Sequence, residues 1–108
     1  MYNTFVIKRG DTSPALRYQM PDETSLLGAQ VQFQMRTAEG ATVIDASAQI
    51  ETDFNPAVVG YAWQANQTDT AGRNQAEFKV TYADGAIETF PNSGFITVII
   101  TEDVAAAE

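Results

Sequence analysis

The sequence predicts an all-β protein, an immunoglobulin-like antiparallel β-sandwich of about seven to eight strands. Three observations predict it. In residues 75–82, Ala76, Phe78, Val80 and Tyr82 alternate with Gln75, Glu77, Lys79 and Thr81. That period of two marks a strand with one face in a core and one in water. Turn punctuation recurs at short intervals, at Gly10-Asp11, Pro21-Asp22, Gly28, Glu39-Gly40, Asn55-Pro56, Ala71-Gly72, Asp84-Gly85 and Pro91-Asn92-Ser93-Gly94. No helical stripe competes, apart from one short turn at Thr68–Ala71. The length, 108 residues, matches a sandwich of this kind.

Taken in order, Phe5–Lys8 opens the sheet. Ala15–Met20 sets Leu16, Tyr18 and Met20 against Ala15, Arg17 and Gln19. Ala29–Arg36 is the clearest amphipathic strand, with Val31, Phe33 and Met35 inward and Gln30, Gln32, Gln34 and Arg36 outward. Thr42–Ile50 predicts one weaker strand kinked near Asp45. Val58–Gln64 places Val59, Tyr61 and Trp63 on one face. Gln75–Tyr82 and Ala86–Phe90 form a hairpin whose tight turn draws positive backbone angles from Asp84-Gly85. Phe95–Thr101 closes the fold. Residues 1–102 are expected to form the sandwich and residues 103–108 a flexible tail.

Composition narrows the chemistry. The chain has no histidine and no cysteine, so no Ser-His or Cys-His nucleophile, thiolate metal site or disulfide can be built. The net charge of −8 is spread along the chain, and the basic residues never cluster beyond Lys8-Arg9. Nucleic-acid binding needs a concentrated positive face, so nucleic acid is not an expected partner. No segment reaches the roughly 20 apolar residues that span a bilayer, and the apolar run Phe5-Val6-Ile7 is too short for a signal peptide. The expectation is no membrane partner and no general secretory export.

Each remaining constellation has a functional and a structural meaning. Tyr61 and Trp63 form either a sugar platform, extended by the Gln64–Thr68 loop, or the central aromatics of a sandwich core, with the indole N–H on a backbone carbonyl. The core is favoured because Val59 shares their face. The acid pairs Asp22-Glu23, Glu51 with Asp53, and Glu102-Asp103 lie near turns or in the tail, whereas glycoside cleavage needs carboxylates opposed across a cleft. Asp11, Asp69 and Asp84 read as turn or cap residues rather than calcium ligands. No catalytic residue, cofactor or metal is therefore expected, and the chain is read as not an enzyme. The ends of the chain differ from the rest: Phe5-Val6-Ile7 and Phe95–Thr101 are apolar on both faces. Such strands are covered on both sides, by the chain's own loops or by a partner. Phe5, Val6, Phe95 and Ile99 are the candidate interface residues.

A family resemblance rests on residues along nearly the whole chain. They are Arg9-Gly10-Asp11-Thr12 with Pro14 and Leu16, then Leu27-Gly28-Ala29 leading into Val31, Phe33, Met35 and Arg36. Gly60-Tyr61 with Trp63 follows, then Asp69-Thr70-Ala71-Gly72, Ala76-Glu77-Phe78, Tyr82-Ala83-Asp84-Gly85 and Thr89-Phe90-Pro91. The sequence resembles small phage proteins related to the immunoglobulin-like N-terminal domain of the baseplate upper protein family. The resemblance implies a non-enzymatic virion protein, assembled in the host cytoplasm. It would dock in multiple copies to other virion proteins of the tail, baseplate, fibre attachment region or capsid. One departure stands out: where the family pattern has an aromatic two residues after Gly72, this chain has Asn74, so Tyr61 or Phe54 would have to close that end of the sandwich. The alternative expectation is a carbohydrate-binding adhesin using Trp63, Tyr61 and residues 64–68.

Overall fold

A computed structural model describes residues 3–104 as two β-sheets packed face to face. Its elements are β1 (Thr4–Lys8), β2 (Leu16–Gln19), β3 (Gln30–Thr37), β4 (Thr42–Ser47), β5 (Gln49–Thr52), β6 (Val58–Tyr61), β7 (Gly72–Thr81), β8 (Ile87–Phe90) and β9 (Ile96–Thr101). The larger sheet runs β1-β9-β7-β3-β4, with β8 also paired to β7; the smaller runs β2-β6-β5. No helix occurs among the described residues, and the turn expected at Thr68–Ala71 forms instead at Ala65–Thr68.

Amphipathic alternation builds the core. Along β3, Val31, Phe33 and Met35 are buried, and along β7 Asn74, Ala76, Phe78 and Val80 are buried. Phe33 lies opposite Phe78 in register, and the stripe continues through Val98 on β9. The smaller sheet answers with Leu16, Val59 and Tyr61. Phe33 stacks on Tyr61 at 4.5 Å, and Tyr18 meets Phe78 at 6.1 Å, which ties the sheets together.

The hairpin between β7 and β8 forms as expected, with Tyr82 N–H on the Ala86 carbonyl and Gly85 N–H on the Tyr82 carbonyl. Only Gly85 takes the positive φ, at 91°. Asp84 contributes through its side chain, whose Oδ1 accepts the Ala86 N–H at 2.9 Å.

Two expectations are corrected. The single strand over Thr42–Ile50 is two strands in different sheets, and the break falls at Ala48 rather than Asp45. Ala48 N–H still bonds to Val31 in the large sheet, while Gln49 already pairs with Gly60 of the small one. The sandwich is also not purely antiparallel, because β1 runs parallel to β9 with Val6 beside Ile99. Of the expected tail, Asp103 sits 3.7 Å from Arg9 and Val104 is exposed, and residues 105–108 lie outside the described residues.

Candidate functional site

Trp63 and Tyr61, the candidate sugar platform, are in the core. Trp63 and Tyr61 are 3% and 4% exposed. The Trp63 ring meets Phe33 edge-on at 5.8 Å, and its Nε1–H donates to the Pro14 carbonyl at 3.1 Å. Tyr61 donates its hydroxyl to Gln67 Oε1, which also accepts the Gln64 N–H. The loop amides thus satisfy the chain's own polar groups, and no ring face is left for a ligand. This corrects the adhesin alternative.

The four candidate interface residues separate. Phe5 lies on the inward face of β1, half-buried, with its ring 5.7 Å from Trp63. It belongs to the core. Val6 points the other way and is 57% exposed, side by side with the half-buried Ile99 on the outer face of the large sheet. Phe95, just before β9, is 43% exposed. Val6 and Ile99 thus form an apolar pair at the β1 edge of that face, and Phe95 lies four residues before Ile99 on the side of β7, β3 and β4.

Beside Phe95 lies an open groove of about 360 Å³ that the sequence did not announce. Gln34, Arg36, Asp45, Gln75 and Glu77 line it together with Phe95. These polar residues come from β4, β3 and β7, brought together by the registers Gln34 to Asp45 and Glu77, and Arg36 to Gln75. Hydrogen bonds hold its rim: Gln32 Nε2 donates to Asp45 Oδ1 at 2.9 Å and Arg36 Nε to Gln75 Oε1 at 2.8 Å. The ion pairs of Arg9 with Asp103 and Arg17 with Glu51 lie outside the groove, which holds two carboxylates, Asp45 and Glu77, against the one guanidinium of Arg36. The alternating pattern of β3 and β7 placed these side chains outward, but only the strand order shows that they meet.

At one end of the sandwich, neither Tyr61 nor Phe54 takes the place of the missing aromatic. Tyr61 is committed to Phe33, and Phe54 is 49% exposed. Asn74 is buried there, with Nδ2 on the Val98 carbonyl at a long 3.4 Å, next to a cavity of about 460 Å³ lined by Thr37, Val43, Gln67 and Ile100.

Two phenols are perturbed. Burial pushes the Tyr18 hydroxyl upward. Tyr82 rises to about 12 through burial, then through its hydrogen bond to Glu88 and the charge of that carboxylate. Both shifts move the phenols away from neutral pH, where proton transfer would need them.

Among known proteins, the fold is similar to the crystal structure of CopC from Methylosinus trichosporium OB3b. The TM-score is 0.56, at 11% identity over 93% of this chain and 85% of that one. No family model matches the chain, and no curated protein sequence matches it. At this identity the likeness shows the β-sandwich fold alone. The expectation of a phage virion protein is corrected on this finding, since the similar structure is a CopC. Thiolate and thioether ligands select soft ions such as copper(I), and imidazole is a common ligand of copper. The chain lacks histidine and cysteine, and Met20 and Met35 are buried in the core. Among the described residues no group of three or more histidine, cysteine or acidic side chains is placed to hold a metal ion.

Proposed function

We propose that this chain is a non-catalytic interaction module that holds a polypeptide partner against the outer face of its large sheet. The observation that carries this reading is the apolar surface left outside, with Val6 exposed beside half-buried Ile99 on that face and Phe95 exposed over the groove, while the aromatic cluster is locked inside. Burying exposed apolar area stabilises an association by about 25 cal/mol per Å² before the costs of binding. The groove beside Phe95, with Asp45 and Glu77, and the net charge of −8 favour a partner whose apolar anchor is ringed by basic groups. Charge complementarity of this kind speeds encounter and orients it.

The test is co-expression with the products of adjoining genes. One of them is expected to co-purify with the unmodified chain. Binding should be lost with Phe95→Asp and Ile99→Asp while both variants keep a cooperative melting transition. A partner retained by both variants would sink the reading, as would unfolding caused by either.

A further inference from the structure

The free side of β1 differs from every other sheet edge among the described residues. At the opposite edge of the same sheet, β4 is irregular in its pairing near Met35 and Arg36, and it carries Asp45. In the small sheet, β5 shifts register between Ile50 and Thr52 and bears Glu51, and β2 lies between Pro14 and Pro21 and carries Arg17. β8 is short and ends against Pro91. Bulges, charges and prolines are the devices that keep edges from pairing with other chains. β1 pairs with β9 without a register shift, has no acid and no proline, carries its one charge, Lys8, only at its end, and has Phe5-Val6-Ile7 at its centre.

Its backbone is aimed outward at alternate residues. Thr97 N–H donates to the Asn3 carbonyl and Arg9 N–H to the Thr101 carbonyl, both at 2.7 Å. In a parallel ladder alternate residues bond to the neighbour, so Phe5 and Ile7 also face β9. Thr4, Val6 and Lys8 then turn their N–H and C=O groups away from the sheet. The Lys8 carbonyl accepts the Asp11 N–H in the following turn. Beyond β1 the sheet has no further strand among the described residues.

We propose that β1 is a homodimerisation strand that pairs antiparallel with β1 of a second copy, about a two-fold axis through Val6. The register follows from the outward-facing groups. The pairing that uses the whole strand sets Val6 opposite Val6 of the second copy, and Thr4 opposite Lys8. The pairing sets no like charges opposite each other, since each Lys8 faces a neutral Thr4. The two Lys8 ammonium groups lie four residues apart along the paired strands, about 13 Å, which exceeds the screening length of roughly 8–10 Å. The first acid of the chain, Asp11, lies beyond the strand. Pairing joins the two Val6–Ile99 pairs into one apolar band across the axis, an isologous contact. The proposal rests on the docking reading only in naming what covers Val6. Phe95 and the groove remain open to a different partner.

Val6→Cys tests the register directly. The chain has no cysteine of its own, and facing Cα atoms in a hydrogen-bonded antiparallel pair lie about 5.5 Å apart, within the disulfide range. Mild oxidation is expected to convert Val6→Cys into a covalent dimer and to leave Ile87→Cys, equally exposed on β8, monomeric. Sedimentation of the unmodified chain should show a dimer fraction that rises with concentration. Val6→Asp and Val6→Lys should each lower that fraction about tenfold with an unchanged β-sheet circular dichroism spectrum, and an equimolar mixture should recover it. The proposal is overturned if the unmodified chain stays monomeric, if both cysteine variants cross-link equally, or if the mixture does not recover dimer. If dimerisation fails while Phe95→Asp still abolishes binding of a separate partner, the docking reading survives without this one.

Discussion

The inner and outer faces of the large sheet are made by the same strands, yet they answer to different rules. Inward, Phe33, Phe78 and Val98 are all 0% exposed and pack across two sheets. Outward, their neighbours Gln34, Glu77 and Thr97 are half-exposed. Each inward side chain is held by many neighbours at once, so a truncation leaves a cavity that the rest fills only in part. An outward side chain is held by one or two polar partners, and its loss is felt mainly by whatever binds there. Stability is concentrated on one side of β3, β7 and β9, and the proposed binding on the other.

The largest effect that would break this comparison is at Phe78, which contacts Phe33 at 5.1 Å and Tyr18 at 6.1 Å. Phe78→Ala should cost about 3–5 kcal/mol in denaturant unfolding. A cost near that of a surface change would mean that the inner face is not packed as described. Next comes Trp63→Phe, which leaves the Pro14 carbonyl without its donor and should cost about 1–3 kcal/mol. In the unmodified chain, Trp63 emission should be blue-shifted and resistant to quenchers, since the ring is buried. On the outer face, Ile99→Asp should shift stability by no more than about 1 kcal/mol, the span of strand preferences, while removing partner binding.

The smallest expected effect is pH-dependent and sharpens the contrast at the rim. Tyr82 donates to Glu88 Oε1 at 2.7 Å, and its pKa stands at about 12 against 10.0 for a free phenol. Between those values the folded chain holds a proton that the unfolded chain has released. The contribution is therefore complete below pH 10 and is lost as the pH rises towards about 12. Denaturant midpoints measured at about pH 8 and about pH 11 should fall less in Tyr82→Phe than in the unmodified chain. An equal fall would assign the loss to other groups, Tyr18 among them.

Several parts of this molecule are legible without coordinates. The alternation in Gln30–Arg36 and Gln75–Tyr82 names the buried residues correctly except Tyr82, which is half-buried past the end of β7, because a strand's side chains change face at every residue whatever it pairs with. The same local logic places Asp84-Gly85 at the hairpin and Val59, Tyr61 and Trp63 in the core. The docking band is only half legible. Phe5 and Val6 both belong to an apolar run, and such a run does not say which residue points in. A shift of one residue exchanges the faces, and only the pairing with β9 assigns Phe5 to Trp63 and Val6 to solvent. The groove beside Phe95 was legible only as outward-facing side chains on separate strands, because its assembly needs β7 and Phe95 brought beside β3 and β4.

From sequence alone the protein was committed to a two-sheet all-β fold, to its main core side chains, and to a chemistry without imidazole or thiol. These follow from residue type and from a period of two, which operate over a few neighbouring residues. Tertiary structure decided that β1 runs parallel to β9, that the chain crosses between sheets at Ala48, and that one edge strand is left with its hydrogen-bonding groups facing out. Those outcomes depend on which distant segments compete for the same edge, and no local pattern records that competition.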